Sequence, residues 1–366
     1  MKKNNSNQKA GNNAKQFQIT TLNVGVTQEE VRNIIKSENE LMLVKSKIIA
    51  SEIAQKRLDD YAEVLIPKLV KSELLSAFND PEIQVLFKKT EYTAICTERK
   101  TDYEMLSELL IHKINKKADY LVSAAIEKAI SEVNNISVEA LMVLTLIFSI
   151  ITYVPTSGKI RDGLKALDDL YSHLLEYFDL PTTNNWKENL EIVNAIKTFD
   201  FGSSKTLEDI FFESFKGYST MGLKLGSEQY DEVIKRMLSV GLPRNILIKN
   251  EMDEDYVRIG VLNKSNIDNL SLKTTTNGNC CIEPLTKEQK SVLIEIYDSY
   301  EPQNDNTKEK FINILNEFNN IKKVMEWWDK NIVNYSLELT AIGKVLACTN
   351  AVRIDSSLPN TINKKV

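Results

Sequence analysis

The sequence predicts a mainly α-helical protein: an amino-terminal β-arm, a multi-helix domain after it and a second helical domain beyond. Three observations predict this. Only 12 Gly and 8 Pro fall among 366 residues, too few turn-formers for a fold of many short strands. Long stretches carry apolar residues at spacings of three and four, the signature of one buried helix face. Hydrophobic residues make up 42% and charged residues 27%, the balance of a globular chain that buries a sizeable core.

Residues 1–26 read as a polar tail and β-arm. Met1 to Lys15 holds four Lys, five Asn and no acid, and it lacks the apolar stretch of a secretory signal. Phe17, Ile19 and Thr21 then alternate with polar residues, with Leu22 and Val24 following, as in a short strand. Thr27 and Glu30 form a capping box, so a helix is expected from Gln28, running past Val31, Ile34, Ile35, Leu41 and Ile48 to about Leu58. Further helices are expected at 61–78, 81–95, 102–116, 118–133, 137–153 and 161–178. The run from Leu141 to Ile151 is nearly all apolar, but it is shorter than the roughly 20 residues a bilayer requires. A buried core helix, and no membrane, is the expectation. Residues 179–205 are mixed and Gly/Ser-bearing, which places a boundary between domains at 27–200 and 201–366. Beyond it the pattern predicts helices at 206–216 and 227–240, a strand at 256–262 and a loop over 263–284. Two helices should follow, Thr286–Tyr300 and Thr307–Ile332, the second packed along its whole length.

The residue types that carry chemistry are sparse. The two histidines, His112 and His173, each lie in an amphipathic helix without a neighbouring nucleophile. Cys96, Cys280, Cys281 and Cys348 have neither disulfide-framework nor zinc-knuckle spacing, which fits reduced thiols in the cytoplasm. Gly217–Gly222 begins like a phosphate loop, but Leu223 stands where the motif requires Lys. Glu251, Asp253 and Asp255 precede a predicted strand, the arrangement of a metal-dependent nuclease, although no Lys is placed beside them on a strand. A net charge of −5, from 46 Lys plus Arg against 51 Asp plus Glu, gives no footprint for wrapping duplex DNA. No cofactor, metal or catalytic residue is expected, and the reading leans away from an enzyme, with a metal-dependent nuclease using Glu251, Asp253 or Asp255 as the third alternative.

Two resemblances add to this reading. The segment Tyr335-Ser336-Leu337-Glu338-Leu339-Thr340-Ala341-Ile342-Gly343 resembles the wing-to-helix passage of bacterial winged-helix regulators, which read Tyr-x-Leu-Thr-x-x-Gly. It implies a winged-helix-like β element in the second domain and a nucleic-acid-binding alternative, carried by Lys322, Lys323 and Lys344. Gly25-Val26-Thr27-Gln28-Glu29-Glu30-Val31, after Gly11-Asn12-Asn13 and the arm, resembles the opening of an uncharacterised family of bacterial helical proteins. Asp80-Pro81-Glu82-Ile83-Gln84 and the block 102–151 continue that likeness, which implies no activity. Some similar proteins accompany bacterial antiviral defence genes.

The leading functional expectation is self-assembly. A lone strand leaves unpaired donors and acceptors on both edges and is unstable in water. Phe17, Ile19, Thr21, Leu22 and Val24 are therefore the assembly residues, pairing with other copies of the chain to make a homo-oligomer that also docks a protein partner. Nucleic acid is the alternative partner.

Overall fold

The computed structural model describes residues 28–115, 119–199, 203–276 and 279–361. The β-arm and its five assembly residues lie outside them. The chain divides into two units, Met1–Lys56 and Arg57–Val366.

Helix α1 (Gln28–Lys71) is one helix rather than the two expected, carrying Pro67 close to its end; Thr27 of the capping box lies outside the described residues. Asp80 then caps α2 (Pro81–Ile95), accepting from the Glu82 amide at 2.8 Å, with Pro81 in the first turn where its missing N–H costs nothing. Three helices follow: α3 (Lys100–Asn115), α4 (Tyr120–Glu132) and α5 (Val138–Thr152). Every residue of α5 from Ala140 to Ile150 is buried, so the most apolar stretch of the sequence is a core helix. Among the described residues no helix is long and apolar enough to cross a membrane. Helix α6 (Ile160–Leu175) turns Leu164, Leu167, Leu170 and Leu174 inward, as their spacing predicts.

The mixed region after α6 holds two elements of its own, α7 (Asn185–Ile192) and β1 (Ile196–Phe199), and leads into α8 (Leu207–Ser214). Beyond α8 lie β2 (Leu223–Lys224), α9 (Glu228–Ser239), β3 (Leu247–Lys249) and β4 (Tyr256–Ile259), which form an antiparallel sheet in the order β2-β4-β3. The expected loop at 263–284 contains instead a hairpin, β5 (Ser271–Thr276) with β6 (Asn279–Pro284), in register Ser271↔Pro284 to Thr276↔Asn279. The sequence between them reads Asn277-Gly278, a pair that favours two-residue hairpin turns and that the loop expectation, drawn from polar composition, does not use.

Helix α10 (Lys287–Asp298) is followed by a second difference. The single long helix expected at 307–332 is two, α11 (Asp305–Leu315) and α12 (Asn319–Asn331). Phe318 is extended at the break, and the Asp168 carboxylate accepts from the Asn320 and Ile321 amides at 2.7 and 3.0 Å. A side chain borrowed from α6 thus satisfies the orphan donors that open α12. The chain closes with β7 (Ser336–Leu339) and α13 (Ala341–Ile354).

Two buried apolar clusters result. One joins residues between Tyr61 and Tyr218 to Leu262 and to Phe311–Ala351, so the core runs across the expected division at residue 200. Helix α13 packs on α3, α4 and α5, and β7 pairs antiparallel with β1, Ile196 opposite Leu339. The other cluster holds Leu223–Ile267 and Leu285–Ile296, the sheet β2-β4-β3 with α9 and α10.

Candidate assembly interface

In the first unit, residues 28–56 of α1 carry a dense array of exposed large apolar side chains. Val31, Ile35, Leu41, Met42, Leu43, Val44, Ile48, Ile49 and Ile53 all face solvent, from 42% exposed at Val31 to 69% at Leu43. Their positions form a face. At about 100° per residue, Val31, Ile35, Leu41, Met42, Ile48, Ile49 and Ile53 fall within an arc of about 140°. Down the middle of that arc run Glu38, Lys45 and Glu52, exposed, spaced by sevens and alternating in sign. Monomeric proteins rarely leave so dense an array of large apolar side chains in water, and an array of this kind marks a surface that meets another chain.

Lys322 and Lys323, the basic residues singled out in the sequence, are exposed on α12, and Lys344 is exposed on α13. Opposite faces of those helices turn inward: Ile321, Val324, Met325, Trp327 and Trp328 on α12, and Val345 to Ala351 on α13. The Thr-x-x-Gly motif has a packing role that the sequence did not reveal. The Thr340 hydroxyl caps α13 by accepting from the Gly343 amide at 3.1 Å, and the Thr340 amide donates to the Ala195 carbonyl at 3.0 Å. A Cβ on Gly343 would overlap that same Ala195 carbonyl oxygen, so only glycine lets α13 seat against the start of β1.

The acidic run is likewise held by internal partners. Glu251 accepts from the Arg161 amide at 2.9 Å, at the start of α6, and Asp253 pairs with Lys310 at 2.8 Å. The lysine holds the Asp253 carboxyl below the usual carboxylate range, and Arg161 does the same for Glu317. Asp255 contributes its backbone, the carbonyl accepting from the Leu225 amide at 2.8 Å. Among the described residues no group of three or more His, Cys, Asp or Glu is placed to hold a metal ion.

The look-alike phosphate loop is a buried packing segment. Tyr218 to Met221 are buried, and a Cβ on Gly217 would strike the Val261 carbonyl oxygen. Against it lies Arg258, the most heavily buried cation of the described chain, its guanidinium 5.4 Å from the Tyr218 ring centre. Arg258 donates to the carbonyls of Ile259 and Val261, both at 3.2 Å, and to that of Gly158 at 2.7 Å. Among the described residues no carboxylate is hydrogen-bonded to it, and burial holds its pKa below the ordinary arginine value. Three carbonyls on a planar fork make this a brace between the α5–α6 connection and β4, which sequence alone gave no reason to select.

The described residues thus define a mainly α protein with an exposed apolar helix face and interior polar groups engaged in packing. A protein-family model, described only as ":-like", matches residues 25–360, and the chain belongs to that family, which carries no assigned activity. No curated protein and no solved structure matches the chain.

Proposed function

We propose that this protein is a self-assembling interaction protein, in which the amino-terminal segment joins copies and the unit from Arg57 onward is the body they carry. The observation that supports the reading best is the exposed apolar face of α1 between Val31 and Ile53. Seven large side chains on one arc of a helix gain on the order of 1.5 kcal/mol or more each if buried, a sum too large to leave in water without a partner. The arm residues Phe17, Ile19, Thr21, Leu22 and Val24 immediately precede this helix, so arm and face form one continuous assembly segment in the sequence. A place in bacterial antiviral defence is part of the same proposal and rests on the family resemblance.

The test is the solution mass of the full chain over a concentration series, by light scattering or sedimentation. A defined multiple of 41.7 kDa supports the reading, and a 41.7 kDa particle at every concentration ends it.

A further inference from the structure

We infer that the apolar face of α1 pairs with the same face of a second copy, antiparallel, about a two-fold axis between Leu41 and Met42. This rests on the self-assembly reading and adds the partner, orientation and register.

Charge complementarity along the helix selects the partner. Glu38, Lys45 and Glu52 run down the centre of the exposed apolar arc, so whatever covers the arc must also meet those charges. A second copy meets Glu38 and Lys45 in a closed, antiparallel arrangement. With the axis between Leu41 and Met42, each Glu38 lies opposite the other copy's Lys45, twice over. Leu41 then lies opposite Met42 and Ile35 opposite Ile48, so apolar meets apolar on both sides of the charged pair, and Glu52 lies beyond them opposite Val31. The pairing is isologous and closes on itself as a dimer.

Other registers fail on named residues: an axis between Ile48 and Ile49 pairs Lys45 with Glu52 but sets Leu41 against Lys56 and Glu38 against Asp59. Moving the axis onto Lys45 sets Lys45 against Lys45 and Glu38 against Glu52. A parallel, in-register pair sets Glu38, Lys45 and Glu52 each against its own kind, which repels. A parallel pair staggered by seven residues matches the charges, but it leaves a free face at each end and grows into an open chain instead of a closed dimer.

The experiment is a charge exchange in the full chain, read as the dimer dissociation constant by sedimentation. Both residues are exposed, so their substitution leaves the fold intact, which circular dichroism of each variant verifies. Glu38→Lys alone places Lys opposite Lys in both pairs and is expected to weaken the dimer about tenfold, and Lys45→Glu alone should do the same. The double variant Glu38→Lys/Lys45→Glu restores the pairs and is expected to return within about threefold of the original constant. If the chain assembles but the double variant is no tighter than the singles, this register is wrong while self-assembly stands. An open-ended series of masses overturns the antiparallel pair in favour of the staggered one. A chain that is monomeric throughout overturns both this inference and the reading beneath it.

Discussion

Arg258 shows how a charged residue can be committed to structure. Its side chain is fully buried, and what holds it is a set of carbonyl dipoles and the Tyr218 ring instead of an acid. Truncation removes three donors at once and leaves the Gly158, Ile259 and Val261 carbonyls in a cavity that water enters poorly. Arg258→Ala is therefore expected to cost about 3 kcal/mol in urea-unfolding stability. Arg258→Lys is expected to lose more than half as much, because a point ammonium cannot span carbonyls that a planar fork reaches together. A lysine variant as stable as the original would show that charge alone, without the fork, suffices. None of this was legible in the sequence, where Arg258 is one charge in an alternating stretch. Its partners lie at Gly158 and Tyr218, and only the fold brings them within reach.

At the scale of elements, what the sequence revealed follows the range of the forces involved. Helices α2 and α5 were readable nearly to their ends because local signals set them: Asp80 before Pro81, Ser137 before an apolar run. The break between α11 and α12 was not readable, because the group that opens α12 is Asp168 of a distant helix. The Thr340–Gly343 motif was visible, but its reason was not: β7 pairs with β1, and α13 needs glycine where it meets Ala195. Here two magnitudes compete. Alanine in a helix gains about 1 kcal/mol over glycine, whereas forcing a methyl group into a backbone carbonyl costs about 3 kcal/mol or more. Gly343→Ala is therefore expected to destabilise the protein by about 2 kcal/mol in thermal or urea unfolding. A variant with unchanged or raised stability would mean that α13 can shift away from β1 at no cost.

For the molecule as a whole, the core joins residues from Tyr61 to Ala351, with a second cluster built from the segment between. That return of the carboxy-terminal helix into the first core depends on contacts more than a hundred residues apart, which no local pattern encodes. Several of the ion pairs across this body have a common acid-sensitive sign. Lys308 beside Asp209, Lys310 beside Asp253 and Arg161 beside Glu317 hold those carboxyls below their ordinary values. Their stabilisation is present above the unfolded-state values near pH 4 and is lost as pH falls through the lower folded values. Glu127, Glu132 and Asp355 are also held low. Asp102 and Glu208 work in the opposite sense, since burial raises both carboxyls. With six lowered against two raised among the described residues, urea-unfolding midpoints are expected to stay level down to about pH 5 and fall below about pH 4. A midpoint that rises on acidification would assign the larger share to Asp102 and Glu208.

The helix that carries the apolar face of α1 is legible in the sequence, which predicts it to run past Val31, Ile34, Ile35, Leu41 and Ile48. Periodicity identifies a stripe that wants cover but not which chain supplies it, and here Val31, Ile35, Leu41 and Ile48 are exposed. The measurement that tests the central claim most directly is the solution mass of the full chain beside Leu41→Glu/Ile48→Glu, at equal concentration. The account expects a defined oligomer for the original chain and a folded 41.7 kDa monomer for the variant. Equal masses for the two, whether both monomeric or both assembled, would contradict it.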